Sequence, residues 1–161
     1  MVEAGGRAQG FRVLLIDNRP ERRELMRHLV AATGLAAPDI AEAATAAEAT
    51  ALLDRDDREV VVVEIQLPVT VGLEAIVALR RRSPAPRIVV CSFHRDEATK
   101  ALAVANGADA YLDKPVTSLS LQAVLRDFGS EPRSGSEAAA PDPPAPDPLA
   151  AGRTGRRRRR D

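Results

Sequence analysis

The sequence predicts an α/β fold, a doubly wound five-stranded parallel sheet with helices on both faces. Two observations carry this expectation. Short β-rich apolar runs alternate with stretches whose apolar residues recur at helical spacing. The central run, Val60-Val61-Val62-Val63, is continuously apolar, as a strand covered on both faces requires. With 161 residues, zero formal net charge and 45% hydrophobic residues, the chain can bury one core of ordinary size but hardly two. Only 2% of residues are aromatic, so the core is expected to consist of Val, Leu, Ile and Ala.

The first strand is expected in Phe11 to Ile16. A helix follows, with Pro20 in its first turn, Leu25, Met26, Leu29 and Val30 at helical spacing, and Gly34 as terminator. A short second strand falls within Ala37 to Ala43 and is the weakest pattern of the set. Thr45 is placed to cap a helix that runs to about Asp54, with Ala46, Ala49, Leu52 and Leu53 inward. Val60 to Glu64 is the third strand, and Leu73, Ile76 and Val77 mark the next helix. Arg87 to Ser92 is the fourth strand, Ala98 to Asn106 a helix closed by Asn106-Gly107, and Ala108 to Leu112 the fifth strand. A last helix is expected from about Ser118 to Asp127, offering Leu119, Leu121, Val124 and Leu125 to the core. Right-handed crossovers join such repeats.

Domain limits follow from composition. Residues 1–10 read as a flexible N-terminus and 11–128 as the folded domain. Residues 129–161 read as a disordered Pro/Ala-rich linker with an Arg-rich tail, because prolines at that density sustain neither helix nor central strand. No second domain is expected after it. The single cysteine, Cys91, cannot form an internal disulfide, and the N-terminus lacks a signal-peptide pattern, so a cytoplasmic location is expected. Apolar runs fall well short of the roughly 20 residues that span a bilayer, so no integral membrane segment is expected.

In a doubly wound sheet, functional groups gather at the carboxyl ends of the strands near the point where strand order reverses. Those ends carry Asp17 and Asn18, Glu64, Ser92 and Lys114. Spacing alone supports an oxyanion or cation pocket at that edge.

Four segments in order make the chain resemble the receiver domain of bacterial two-component response regulators. They are Val13-Leu14-Leu15-Ile16-Asp17-Asn18-Arg19-Pro20; Val61-Val62-Val63-Glu64-Ile65-Gln66-Leu67-Pro68 with Gly72-Leu73-Glu74-Ala75; Ile88-Val89-Val90-Cys91-Ser92; and Gly107-Ala108-Asp109-Ala110-Tyr111-Leu112-Asp113-Lys114-Pro115. The resemblance covers about residues 11 to 127 and implies the flavodoxin-like strand order 2-1-3-4-5. It also implies that Asp17, Asn18, Glu64 and Gln66 line the acidic, Mg²⁺-binding pocket, with Glu64 at the phosphoacceptor position. Ser92 and Lys114 would grip phosphoryl oxygens, Tyr111 would be the switch aromatic, and the bond before Pro115 would be cis. A carboxylate attacking a phosphoryl donor builds charge on the equatorial oxygens, which a hard cation and an ammonium offset.

The chain departs from that pattern. Glu64 stands in place of the acceptor aspartate, one methylene longer, and displacement of the nucleophile by roughly 1 Å can cost about 100-fold in rate. Asn18 replaces a carboxylate with an amide, so Mg²⁺ binding is expected to be weak or absent, and no other cofactor is expected. Phe93 stands where receivers usually carry a small residue and is expected to block access, and Val69-Thr70-Val71 is apolar where the family is often acidic or glycine-rich. A Glu64 to Lys114 ion pair is the favoured arrangement, either locking an active-like surface or leaving an inert pocket.

Other singled-out residues have plainer readings. Cys91 should point away from Ser92 as a buried small hydrophobe. His28 and His94 lack partners at metal spacing, and His28 should lie on the exposed side of its helix. Tyr111 reads equally as switch aromatic or core-edge residue. Arg156, Arg157, Arg158, Arg159 and Arg160 form either a nonspecific polyanion anchor, for RNA, DNA, anionic lipid or an acidic protein, or a solvated tail.

The resulting expectation is a stand-alone atypical receiver, not an enzyme, that is not phosphorylated at Glu64. It would signal by protein contact through the face of the fourth helix, fifth strand and fifth helix, on or near which Ala98, Leu102, Val116 and Leu121 lie. Its partner would be a histidine kinase, another regulator or an output protein, and a homodimer is compatible. The alternatives are a phosphorylation-competent receiver with slow self-dephosphorylation, and a nucleic-acid-associated protein acting through its Arg tail.

Overall fold

Ten elements alternate along the chain: β1 (Val13–Ile16), α1 (Pro20–Ala32), β2 (Ala41–Ala43), α2 (Ala46–Arg55), β3 (Val60–Glu64), α3 (Val69–Arg80), β4 (Arg87–Ser92), α4 (Glu97–Ala105), β5 (Ala110–Asp113) and α5 (Ser118–Ser130). They come from a computed structural model that describes residues 10–65 and 69–130. The strands form one sheet in the order β2-β1-β3-β4-β5, and every pairing is parallel. This is the doubly wound class read from the alternation of periods.

Alternation along each strand divides the core in two. Leu14, Ile16, Val61, Val63, Ile88 and Val90 pack with Ala49 and Leu53 of α2, Ile76 and Leu79 of α3, and Ala103 of α4. Val13, Leu15, Val60, Val62, Val89 and Cys91 pack on the other face with Val30 of α1 and Leu121, Leu125 and Phe128 of α5. Full burial of one such valine or leucine stabilises the fold by about 2 kcal/mol. Cys91 is therefore a core residue, as its position in the strand required. His28 is exposed on α1.

Local signals explain the boundaries. The Thr45 hydroxyl caps α2 by accepting from Glu48 N at 3.1 Å, and Glu48 Oε2 accepts from Ala44 N at 2.7 Å, so both side chains satisfy donors at that helix start. Gly34, at φ 71°, ends α1 beyond its C-cap Thr33.

Several expectations need correction. Leu119 is 74% exposed, because the inward stripe of α5 runs through Leu121, Leu125 and Phe128 and Leu119 falls outside it. Leu121 lies in that core stripe, as expected of it. The fifth strand begins at Ala110, since Gly107 turns at φ 119° and Ala108 is still buried beneath α4. The last helix continues to Ser130, two residues into the segment expected to be linker, because Phe128 docks into the core beside Phe11. Phe11 itself joins the sheet through a single bridge to Ala36 ahead of β1. No helix among the described residues is long and apolar enough to cross a membrane.

Candidate functional site

The parallel sheet brings the ends of β1, β3, β4 and β5 to one edge, and each contributes a polar side chain there. After β1, Asp17 N donates to Ala43 O on the neighbouring strand at 3.2 Å. The Asp17 carboxylate accepts from Arg19 N at 2.9 Å, and Arg23 of α1 donates to the Asp17 carbonyl at 2.6 Å. This local bonding turns the chain from β1 into Pro20 and α1. Asn18, the next residue, is exposed.

Glu64 ends β3 in register with Cys91 of β4, and its side chain is only 5% exposed. It shares a small pocket with Leu15, Asp17, Arg23, Met26 and Cys91 beneath α1. Its carboxylate forms an ion pair with the Lys114 ammonium, itself 11% exposed. Burial pushes the Glu64 carboxyl up; the hydrogen bond and charge of Lys114 oppose that, Asp17 adds to it, and Arg22 works against it.

The other two groups are engaged as well. Ser92 Oγ donates to Ile65 O at 2.9 Å and accepts from His94 N at 3.1 Å, which commits the proton of the buried hydroxyl to the backbone. Lys114 N donates to Ser92 O at 2.9 Å, and the Lys114–Pro115 peptide bond is cis. The Lys114 ammonium lies 5.3 Å from the centroid of the Phe93 ring, within cation–π range. That ring is 62% exposed, so it covers the lysine from the solvent side.

Tyr111 is half-buried at the edge of the core cluster under α2, α3 and α4. Its hydroxyl donates to His94 O at 2.6 Å, Lys100 lies 5.8 Å from its ring centroid, and burial pushes the phenol up. The structure places Tyr111 at the edge of the core, with its hydroxyl tied to the β4–α4 loop.

Asp17, Asn18, Glu64, Ser92, Phe93, Tyr111 and Lys114 therefore gather at one edge. Gln66 and Arg156 to Arg160 lie outside the described residues. Sequence reasoning missed Arg23, which braces the chain after β1, and Arg95, whose guanidinium donates to Lys114 O at 2.7 Å. The only signal for Arg95 was a long cationic side chain three residues past the end of β4. Among the described residues, no group of three or more His, Cys, Asp and Glu side chains is arranged to hold a metal ion. Chemically, the edge presents a carboxylate and an ammonium that neutralise one another, and a hydroxyl bonded to the backbone.

Strand order and five flanking helices define a CheY-like, flavodoxin-like fold. The chain belongs to the response regulator receiver domain family, whose model matches residues 13–126. It is 32% identical over 133 residues to the positive alginate biosynthesis regulatory protein of Pseudomonas aeruginosa, covering 83% of this chain and 52% of that one. To the nitrate/nitrite response regulator protein NarL of Escherichia coli it is 33% identical over 105 residues, covering 63% of this chain and 47% of that one. The chain thus spans about half the length of these curated relatives. Among solved structures, a two-component response regulator of the LuxR family from Aurantimonas superposes with a TM-score of 0.64 at 30% identity, covering 73% of this chain and 86% of that one.

Proposed function

We propose that this chain is a receiver of two-component signalling that acts by protein contact and is not phosphorylated on Glu64. The buried Glu64–Lys114 ion pair carries the reading. In an acceptor site the carboxylate must be open to the donor and the ammonium free to take the incoming oxygens. Here each holds the other, the Ser92 hydroxyl donates its hydrogen bond to Ile65 O, and the Phe93 ring lies over the lysine. The side-chain carboxylate of Glu64 thus supplies from within the charge that a phosphoryl group would supply from outside.

Mg²⁺ does not fit this donor set. The ion takes oxygen ligands in near-ideal octahedral geometry at about 2.1 Å. Among the described residues lining the pocket beside Glu64, Asp17 is the other carboxylate, Asn18 contributes only an amide, and the Lys114 and Arg22 charges repel a dication. The chain is accordingly a signalling module and not an enzyme. Its partner is a histidine kinase, another regulator or an output protein, met on the face of α4, β5 and α5, where Ala98 and Leu102 are exposed and Val116 is half-buried.

The test is incubation with acetyl phosphate and Mg²⁺ followed by intact mass measurement. No adduct is expected. An acid-labile phosphoryl adduct that disappears in Glu64→Ala would establish the competing reading, a phosphorylation-competent receiver.

A further inference from the structure

We propose that Arg95 is a positioning residue that clamps the β4–α4 loop to the backbone of Lys114 and so sets where α4 begins. The proposal goes beyond the reading above and holds whether or not Glu64 takes a phosphoryl group. Lys114 is held at both ends. Its ammonium meets Glu64, and its carbonyl accepts from Arg95 Nη2 at 2.7 Å. The four loop residues between the strand and the helix are each fastened to the site or to the helix. Phe93 lies over the Lys114 ammonium, His94 accepts from Tyr111 through its carbonyl and donates to Ser92 Oγ through its amide, and Asp96 caps α4 by accepting from Thr99 N at 2.8 Å. Arg95 supplies the one cationic contact in this set that reaches from the loop to the main chain beyond β5.

Chemistry favours an arginine there. A guanidinium stays protonated throughout the usable pH range and can donate to a carbonyl while its stem packs along the surface. A bond from a charged donor is about twice as strong as a neutral one. Losing it releases the loop, and with it the Asp96 cap that starts α4, from the main chain after β5. The segment that starts the exposed surface of α4 is therefore coupled to the residue that pairs with Glu64.

Hydrogen exchange and tyrosine emission on the full chain test this. Tyr111 is the sole tyrosine and there is no tryptophan, so intrinsic emission reports the surroundings of Tyr111, its bond to His94 O among them. In Arg95→Ala, exchange of the His94 and Thr99 amides should accelerate about tenfold, the factor that one charge-assisted hydrogen bond supplies, and the emission should change. Val62 and Val89 amides, in the central strands, should keep their protection. Arg95→Lys, which retains a cationic donor, should recover at least part of the protection at His94. Unchanged exchange at His94 in Arg95→Ala would overturn the proposal. An acceleration that Val62 and Val89 share equally would also overturn it, since that marks a general loss of stability.

Discussion

The Lys114 ammonium and the Glu64 carboxylate form an ion pair across the carboxyl end of the sheet, bridging from the end of β3 over β4 to the end of β5. Both side chains are largely buried, so removing one leaves the other uncompensated. Lys114→Met should therefore lower stability by about 3 kcal/mol. The double replacement Glu64→Gln with Lys114→Met should be more stable than Lys114→Met alone, since no buried charge remains. Urea unfolding of wild type, Glu64→Gln, Lys114→Met and the double replacement at pH 7 measures this as a double-mutant cycle. Strictly additive losses would mean that the two groups do not interact.

The pH dependence of that site has a definite sign. Burial raises the folded-state carboxyl of Glu64 above the ordinary value of 4.5. Between those two values the native state binds more protons than the unfolded chain, so stability falls as pH rises. The Glu64 contribution is fully present below the unfolded value and is lost as pH rises through the folded one. Asp56, held down first by the hydrogen bond from Arg12, and Asp96, held down by its bond from Thr99 N, act oppositely. Their contributions are present above 3.8 and lost as pH falls through the lowered folded values. The stability difference between wild type and Glu64→Gln, taken from urea midpoints, should decline with rising pH above 4.5. A difference that is flat or increases there contradicts the assignment.

Cys91 lies beside Glu64 in the sheet register and shares its pocket. Burial, with the neighbouring carboxylate adding to it, pushes the thiol up to about 12. The thiolate is the reactive form, so a disulfide reagent at pH 8 should modify the folded protein only as fast as it unfolds and should modify it fully in urea. Complete labelling within seconds under native conditions would show that the pocket opens far more readily than its packing implies.

The fold was legible because its signals are local. Val60 to Val63 fixes a central strand by composition, Thr45 and Gly34 mark helix ends by their bonding and backbone preferences, and the polar residues at strand ends fall on one edge once the strands are parallel. Even β2, the weakest pattern, forms inside the expected span, because its Ala41-Glu42-Ala43 backbone pairs with β1 regardless of side-chain pattern. What escaped depends on long-range contact. Leu119 and Leu121 lie two positions apart in one helix, and only the direction in which α5 packs decides which of them is buried. Arg95 meets Lys114 across 19 residues of chain, and Ser92 meets the carbonyl of Ile65 across 27. Neither pairing has a periodic signature.

On the reading proposed above, phosphoryl transfer to residue 64 should take more than one substitution. Glu64→Asp withdraws the carboxylate by about one methylene and loosens its hold on Lys114, which recovers the acceptor's length but leaves Asn18 as a neutral ligand and Phe93 over the lysine. Mg²⁺ binds through carboxylates placed with little tolerance, so Glu64→Asp alone should form an adduct with acetyl phosphate only slowly and only at high Mg²⁺. Adding Asn18→Asp should lower the Mg²⁺ concentration needed, and adding Phe93→Ala should raise the rate at saturating Mg²⁺ by opening the approach to Lys114. Intact mass measurement over a Mg²⁺ series separates the two effects, one on affinity and one on access. If Glu64→Asp alone reaches full stoichiometry at low Mg²⁺ and Asn18→Asp adds nothing, the length of residue 64 is the sole barrier, and the amide at residue 18 has no part in silencing the site.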